Sequence, residues 1–238
     1  MKGAFSLLSI EGFQVAFKYF ELFEQGLVCT VTLSFLTVIF GFVLALILAL
    51  MRLSGIAPLK FIASAYVEVF RATPLMVQLF LVYYVLLAGI NLPVFKLFGI
   101  IRFERMVPGV IALALNSGAY LSEIIRSGIQ SIDLGQTEAA RSLGMTQWQN
   151  MRHIILPQAI KNILPAIANE FVTIIKESSI CWTIGVQEIM SAVNSIKAAT
   201  YTCGEALIIA ACVYFCLTFP TSKIIEHFER KMSRGDKR

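Results

Sequence analysis

Hydrophobic positions in this sequence run in long uncharged blocks separated by short polar stretches. Residues 26–51 hold no charge, and Arg52 closes the block. About 20 residues of helix cross a hydrocarbon core, so a block of this length predicts a tilted transmembrane helix. Four further blocks predict spans over about 59–90, 107–126, 158–177 and 203–222. The second is interrupted by Glu68 and Arg71, the third holds Glu123, and the fourth holds Glu170. Ahead of the first block, Phe13, Phe17, Phe20 and Phe23 recur at helical spacing among polar positions. That stretch, 11–24, predicts an amphipathic helix lying in the membrane interface. The pattern describes an all-α membrane protein: one transmembrane domain over 1–238 with five helices, and a polar segment, 133–157, that no span accounts for.

Composition agrees with lipid as the main solvent. Hydrophobic residues make up 57% of the chain and charged residues 15%, with a mean hydropathy of +0.75; soluble domains run at about 45–50% and about 25%. No polar stretch is long enough to bury a core of its own. The net charge of +5 is uneven, with Lys223, Arg230, Lys231, Arg234, Lys237 and Arg238 crowding the end. A basic tail behind an apolar span reads as a cytoplasmic anchor rather than a nucleic-acid arm.

Five spans put the termini on opposite sides. With the C-terminus inside, the inner segments hold Arg52, Lys60, Arg126, Arg141, Arg152, Lys161 and the tail. The outer segments hold half as many cations: Lys2, Lys18, Lys96, Arg102, Arg105 and Lys197. This bias predicts the N-terminus outside and the C-terminus cytoplasmic. The cluster Lys96, Arg102 and Arg105 runs against it, offset in part by Glu104. The apolar stretch after Lys2 is interrupted at Glu11, too short for a cleaved signal peptide. The five cysteines lie in or beside apolar runs without a Cys-x-x-Cys pair, and His153 and His227 are far apart, so no metal site is expected.

The segment 133–157 has signals of its own. Asp133 with Gln136, and Thr146 with Gln149, both fit the spacing of a helix capping box. Gly144 stands where the first helix must end, at the left-handed position. Two short helices with a glycine turn are therefore predicted. Glu138 is placed in the first turn, where a negative charge suits the helix dipole. Ala139, Ala140 and Leu143 supply one small apolar face, Trp148 and Met151 another, and Pro157 opens the fourth span. Apolar residues rimmed by charge suggest a docking surface; a solvated loop between spans is the other reading.

Glu138-Ala139-Ala140, Gly144, Ile154 and Leu156-Pro157 match the signature Glu-Ala-Ala, three residues, Gly, nine residues, Ile, one residue, Leu-Pro. In this the chain resembles the membrane (permease) subunits of binding-protein-dependent ABC importers. Other stretches are similar to the polar amino acid branch, the histidine, arginine, lysine, glutamine and glutamate permeases. They include Glu68-Val-Phe-Arg71-Ala-Thr73-Pro74, Ala119-Tyr120-Leu-Ser-Glu123, Asn169-Glu170-Phe171 and Lys176-Glu177-Ser178-Ser179. The similarity runs from about residue 26 to the C-terminus, and 91–105 matches no shared motif.

The resemblance implies a type I importer permease fold with cytoplasmic coupling helices, in the cell inner membrane. It implies that the knob built on Glu138, Ala139, Ala140, Leu143, Gly144 and Trp148 seats in a groove of a cytoplasmic ATPase subunit, two per complex. ATP and Mg would be bound by those partners, with no cofactor in this chain. A second permease subunit, identical or homologous, and an extracytoplasmic solute-binding protein complete the assembly. The substrate implied is a basic or other polar amino acid, with glutamine, glutamate or a cystine-type substrate as the alternative.

Charges inside a span cost about 2.5–3.5 kcal/mol each on insertion scales, so they mark functional candidates. Glu68 and Arg71 are three apart and either neutralise each other or flank a helix broken at Thr73-Pro74, whose freed N–H groups would hold a carboxylate. Asn116, Tyr120 and Glu123 share one helical stripe, and Asn169 and Glu170 lie midway along the fourth span. These seven residues, Arg71, Thr73, Asn116, Tyr120, Glu123, Asn169 and Glu170, are the candidate substrate path; hydrogen bonding between helices is the alternative. There is no Gly-x-Ser-x-Gly, His-Glu-x-x-His or phosphate-loop motif and no internal repeat, which disfavours an enzyme and an ion-coupled carrier.

Overall fold

The structure, a computed structural model, describes residues 8–233. Lys2, Arg234, Lys237 and Arg238, which contribute to the predicted charge bias, lie outside the described residues. Helix α1 (Ile10–Phe17) starts at Ser9, whose side chain accepts from the Gly12 N–H at 2.8 Å. It stops at Lys18, and α2 (Phe20–Leu53) follows. The predicted amphipathic helix over 11–24 is thus two helices, and its phenylalanines differ: Phe23 is buried and Phe17 exposed. Tertiary packing decides this. The Ser9 N–H donates to Glu205 at 3.0 Å, and Ala16 and Phe23 enter a shared core.

Helix α3 (Ala57–Ala72) carries Pro58 in its first turn, where the missing N–H has no partner to lose. Thr73 is extended, with φ −110° and ψ 145°, as the following proline requires. Helix α4 (Leu75–Leu81) then runs on into a π-helical turn, Val82–Leu86. The predicted span 59–90 is therefore not one straight helix. Strands β1 (Lys96–Leu97) and β2 (Ile101–Arg102) form an antiparallel hairpin, pairing Lys96 with Arg102. Then come α5 (Phe103–Gln130), α6 (Leu134–Ser142) and α7 (Gln147–Asn150). A π-helical turn, Met151–Ile155, leads into α8 (Leu156–Glu177). It sits directly ahead of Pro157, which has no N–H to continue a regular ladder. A 3₁₀ turn, Ser178–Ile184, precedes α9 (Ile189–Thr200) and α10 (Cys203–Ser233).

The predicted regions 26–51, 107–126, 158–177 and 203–222 are helical, and 59–90 is helical over 59–72 and 75–86. Among the described residues three helices, α2, α5 and α10, are long and apolar enough to cross a membrane, and the bent α3–α4 pair makes up to four. Helix α8 covers its predicted span but, with Lys161, Glu170 and Lys176 along it, falls short in apolarity.

The chain divides into two compact units. The first takes its described residues from Met1–Thr37, Leu75–Leu113 and Thr173–Pro220. Its core holds Ala16, Phe23, Ile189, Val193, Ile196, Ala206 and Ile209. Gly26 of α2 meets the start of α9 backbone to backbone: a Cβ there would lie 2.9 Å from main-chain atoms of Glu188 and Ile189. Glu188 is fully buried and caps α9, accepting from the N–H groups of Met190 and Ser191 at 2.8 Å and from the Tyr214 hydroxyl at 2.8 Å. The second unit takes its described residues from Val38–Pro74, Ala114–Val172 and Thr221–Arg238. Its core joins Ala45 and Ala49 of α2, Leu121 and Ile125 of α5, and Ala159 and Ile163 of α8. Small residues let these helices approach closely, as packing in lipid requires.

Candidate functional site

Every candidate residue lies in the second unit. In the 133–157 segment, α6 starts at Asp133, whose carboxylate accepts from the nearer Gly135 N–H at 2.6 Å. The box expected with Gln136 does not form there. The box between Thr146 and Gln149 does, in both directions. Helix α6 ends in a Schellman motif: Met145 N–H donates to Ala140 O at 3.0 Å and Gly144 N–H to Arg141 O at 2.9 Å, with Gly144 at φ +80°. Asn150, which the sequence did not single out, donates from its side chain to Thr137 Oγ1 at 3.2 Å and ties α7 to α6.

This framework holds a fixed set of side chains outward. Leu143 is 83% exposed and Trp148 68%, with Leu134, Glu138 and Ala139 exposed on the same segment. Ala140 is buried. Glu138 falls in the second turn of α6, not the first, because the helix begins at Leu134.

The polar span residues fall into two groups. Along the second half of α3, the Tyr66 hydroxyl donates to Leu115 O at 2.8 Å, and Asn116 Nδ2 lies 3.4 Å from Phe70 O. The Arg71 guanidinium stands over the Tyr120 ring, 5.5 Å from its centre. Among the described residues it has no carboxylate within ion-pair distance, so of the two readings the pair with Glu68 does not form, and a cation–π contact stands in its place. Arg71, Thr73, Asn116 and Tyr120 are thus gathered where α3 meets α5, with Thr73 Oγ1 donating to Val69 O at 2.8 Å. One helical turn further, Glu123 is held by two guanidiniums, Arg52 from the end of α2 and Arg126 from its own helix; Arg126 also donates to Gln130. Asn169 is exposed and Glu170 half-buried on α8.

Fold and loop together define a helical membrane protein with a capped loop that holds Leu143 and Trp148 exposed. Residues 41–234 match the binding-protein-dependent transport system inner membrane components, and the chain belongs to that family. It is 42% identical over 212 residues to the arginine transport system permease protein ArtQ of Bacillus subtilis, covering 89% of this chain and 93% of that one. It is 42% identical over 198 residues to the nopaline transport system permease protein NocM of Agrobacterium fabrum, covering 82% and 81%. The crystal structure of an amino acid ABC transporter with histidines matches with a TM-score of 0.85 at 46% identity, over 94% of this chain and all of that one. The chain is a membrane subunit of a binding-protein-dependent transport system, with the type I importer permease fold.

Proposed function

We propose that this chain forms the translocation path of an ATP-driven importer for polar amino acids and is driven through its 133–157 loop. The loop carries the reading. Its exposed Leu143 and Trp148 are locked on a Schellman turn and a capping box, and a preorganised apolar knob binds without an ordering penalty. The knob seats on a cytoplasmic ATPase, one for each of two permease subunits, identical or homologous, and the ATPases hold ATP and Mg. A solute-binding protein delivers substrate from outside, where the N-terminus lies; the C-terminal tail is cytoplasmic. Arginine and nopaline in the relatives' names support a basic or other polar amino acid. Arg71, Thr73, Asn116 and Tyr120, with Asn169 and Glu170, line the path. Glu123, already neutralised by two guanidiniums, clasps α2 to α5.

Co-purification with the ATPase tests this. Leu143→Ala with Trp148→Ala is expected to weaken ATPase retention on the order of tenfold, the equivalent of about 1.4 kcal/mol. The thermal midpoint of the permease itself should hold, because both side chains are exposed. Undiminished retention, or transport by the purified chain alone on an ion gradient, would sink the proposal.

A further inference from the structure

The hairpin β1–β2 lies outside the described path and outside the loop. Its turn is closed by the Ile100 N–H on Leu97 O at 3.0 Å, and both central residues have positive φ, +50° at Phe98 and +73° at Gly99. A type I′ turn requires this and draws Asn, Asp or Gly to both positions. A phenylalanine there is held in a conformation its side chain disfavours, and Phe98 is nevertheless 73% exposed. Strain kept at an exposed aromatic tip points to a contact made outside the chain.

The charges beside the tip say what kind of contact. Lys96 and Arg102 stand directly opposite each other across the pair, and like charges in that position repel. Arg102 is partly relieved by Glu104, with Nε 3.0 Å from Oε1. Lys96 has no carboxylate within 4 Å among the described residues. The other face is turned inward, with Ile101 buried, and Phe95 stacks on Phe103 at 4.6 Å.

The level of the hairpin follows from the helix behind it. Arg102 directly precedes α5, whose 28 residues measure about 42 Å, against about 30 Å of hydrocarbon and about 40–45 Å with headgroups. A helix of this length centred on the bilayer carries the hairpin to headgroup level. We propose that it docks on the membrane surface, with Phe98 in the acyl boundary and Lys96 and Arg102 on the phosphates of anionic lipids. An apolar tip flanked by cations suits that boundary.

The test places the photo-crosslinker p-benzoylphenylalanine at position 98 in the complete permease–ATPase complex, in nanodiscs of phosphatidylcholine with a minor fraction of phosphatidylglycerol. Irradiation is expected to give a mass increase of one phospholipid. Phosphatidylglycerol should be enriched in the adduct about fivefold over its mole fraction. Lys96→Glu should return it to that fraction, while opposite charges across the hairpin keep the fold. Adducts to an added binding protein or a second permease copy, lipid adducts without enrichment, or no adduct would overturn the proposal.

Discussion

The guanidinium of Arg52, at the last turn of α2, donates to the carboxylate of Glu123 on α5. The two residues are 71 positions apart, and each keeps less than a third of its side chain exposed. Partly shielded pairs couple more strongly than surface ones, so a double-mutant cycle with Arg52→Ala and Glu123→Ala should yield about 1–2 kcal/mol. Glu123→Gln should lower the thermal midpoint of the complex yet leave the order of preference among amino acids unchanged in stimulated ATPase. A changed order would return Glu123 to the substrate path.

Gly144 is required by geometry. Its φ of +80° suits glycine, and a β-branched side chain there costs about 1–2 kcal/mol and reaims the loop. Gly144→Val should lower transport on the order of tenfold while ATP hydrolysis continues. Gly144→Asn should retain most transport, since Asn tolerates that region. Coupled transport by the valine variant would remove the loop from the drive.

Gly26 tests packing in the first unit. A Cβ placed 2.9 Å from the backbone of Glu188 and Ile189 cannot be relieved by turning a side chain. Gly26→Ala should therefore destabilise by about 1–3 kcal/mol, the usual range for overpacking. Gly55→Ala is the control, as nothing lies within 4 Å of its added methyl. Thermal unfolding of both variants in one detergent decides it; equal midpoints would show that α2 and α9 separate without loss.

What could be read in advance was local. Pro74 restricts Thr73 by steric contact with its neighbour, and Gly144 and the Thr146–Gln149 box act within one turn, so spacing alone revealed them. The Arg52–Glu123 pair was invisible because pairing between spans depends on which faces meet. The cation–π contact of Arg71 on Tyr120 was hidden for the same reason. Helix α9 left a signal that went unused: Ile189, Ala192, Val193 and Ile196 recur at helical spacing and are all buried. At 12 residues it is too short for a span, and its pattern does not stand out as a long apolar block. The hairpin could not be read because its turn carries Phe98 where turn chemistry favours Asn or Gly.

Glu188 gives the pH dependence. It lies in the turn before α9, outside the candidate spans, and burial pushes its carboxyl up to about 7 from 4.5; the Met190 N–H, the Tyr214 hydroxyl and the Ser191 N–H pull against that rise. A carboxyl with a raised folded-state pKa binds more protons folded than unfolded between those two values. Stability then falls as pH rises through that window and levels off above it. The whole span corresponds to about 3 kcal/mol. The thermal midpoint of the complex should decline from about pH 5 to pH 7, and Glu188→Gln, which cannot ionise, should flatten the decline. Tyr214→Phe removes a donor to the ionised form and should carry the decline to higher pH. An unchanged slope in the glutamine variant would assign the dependence to another group.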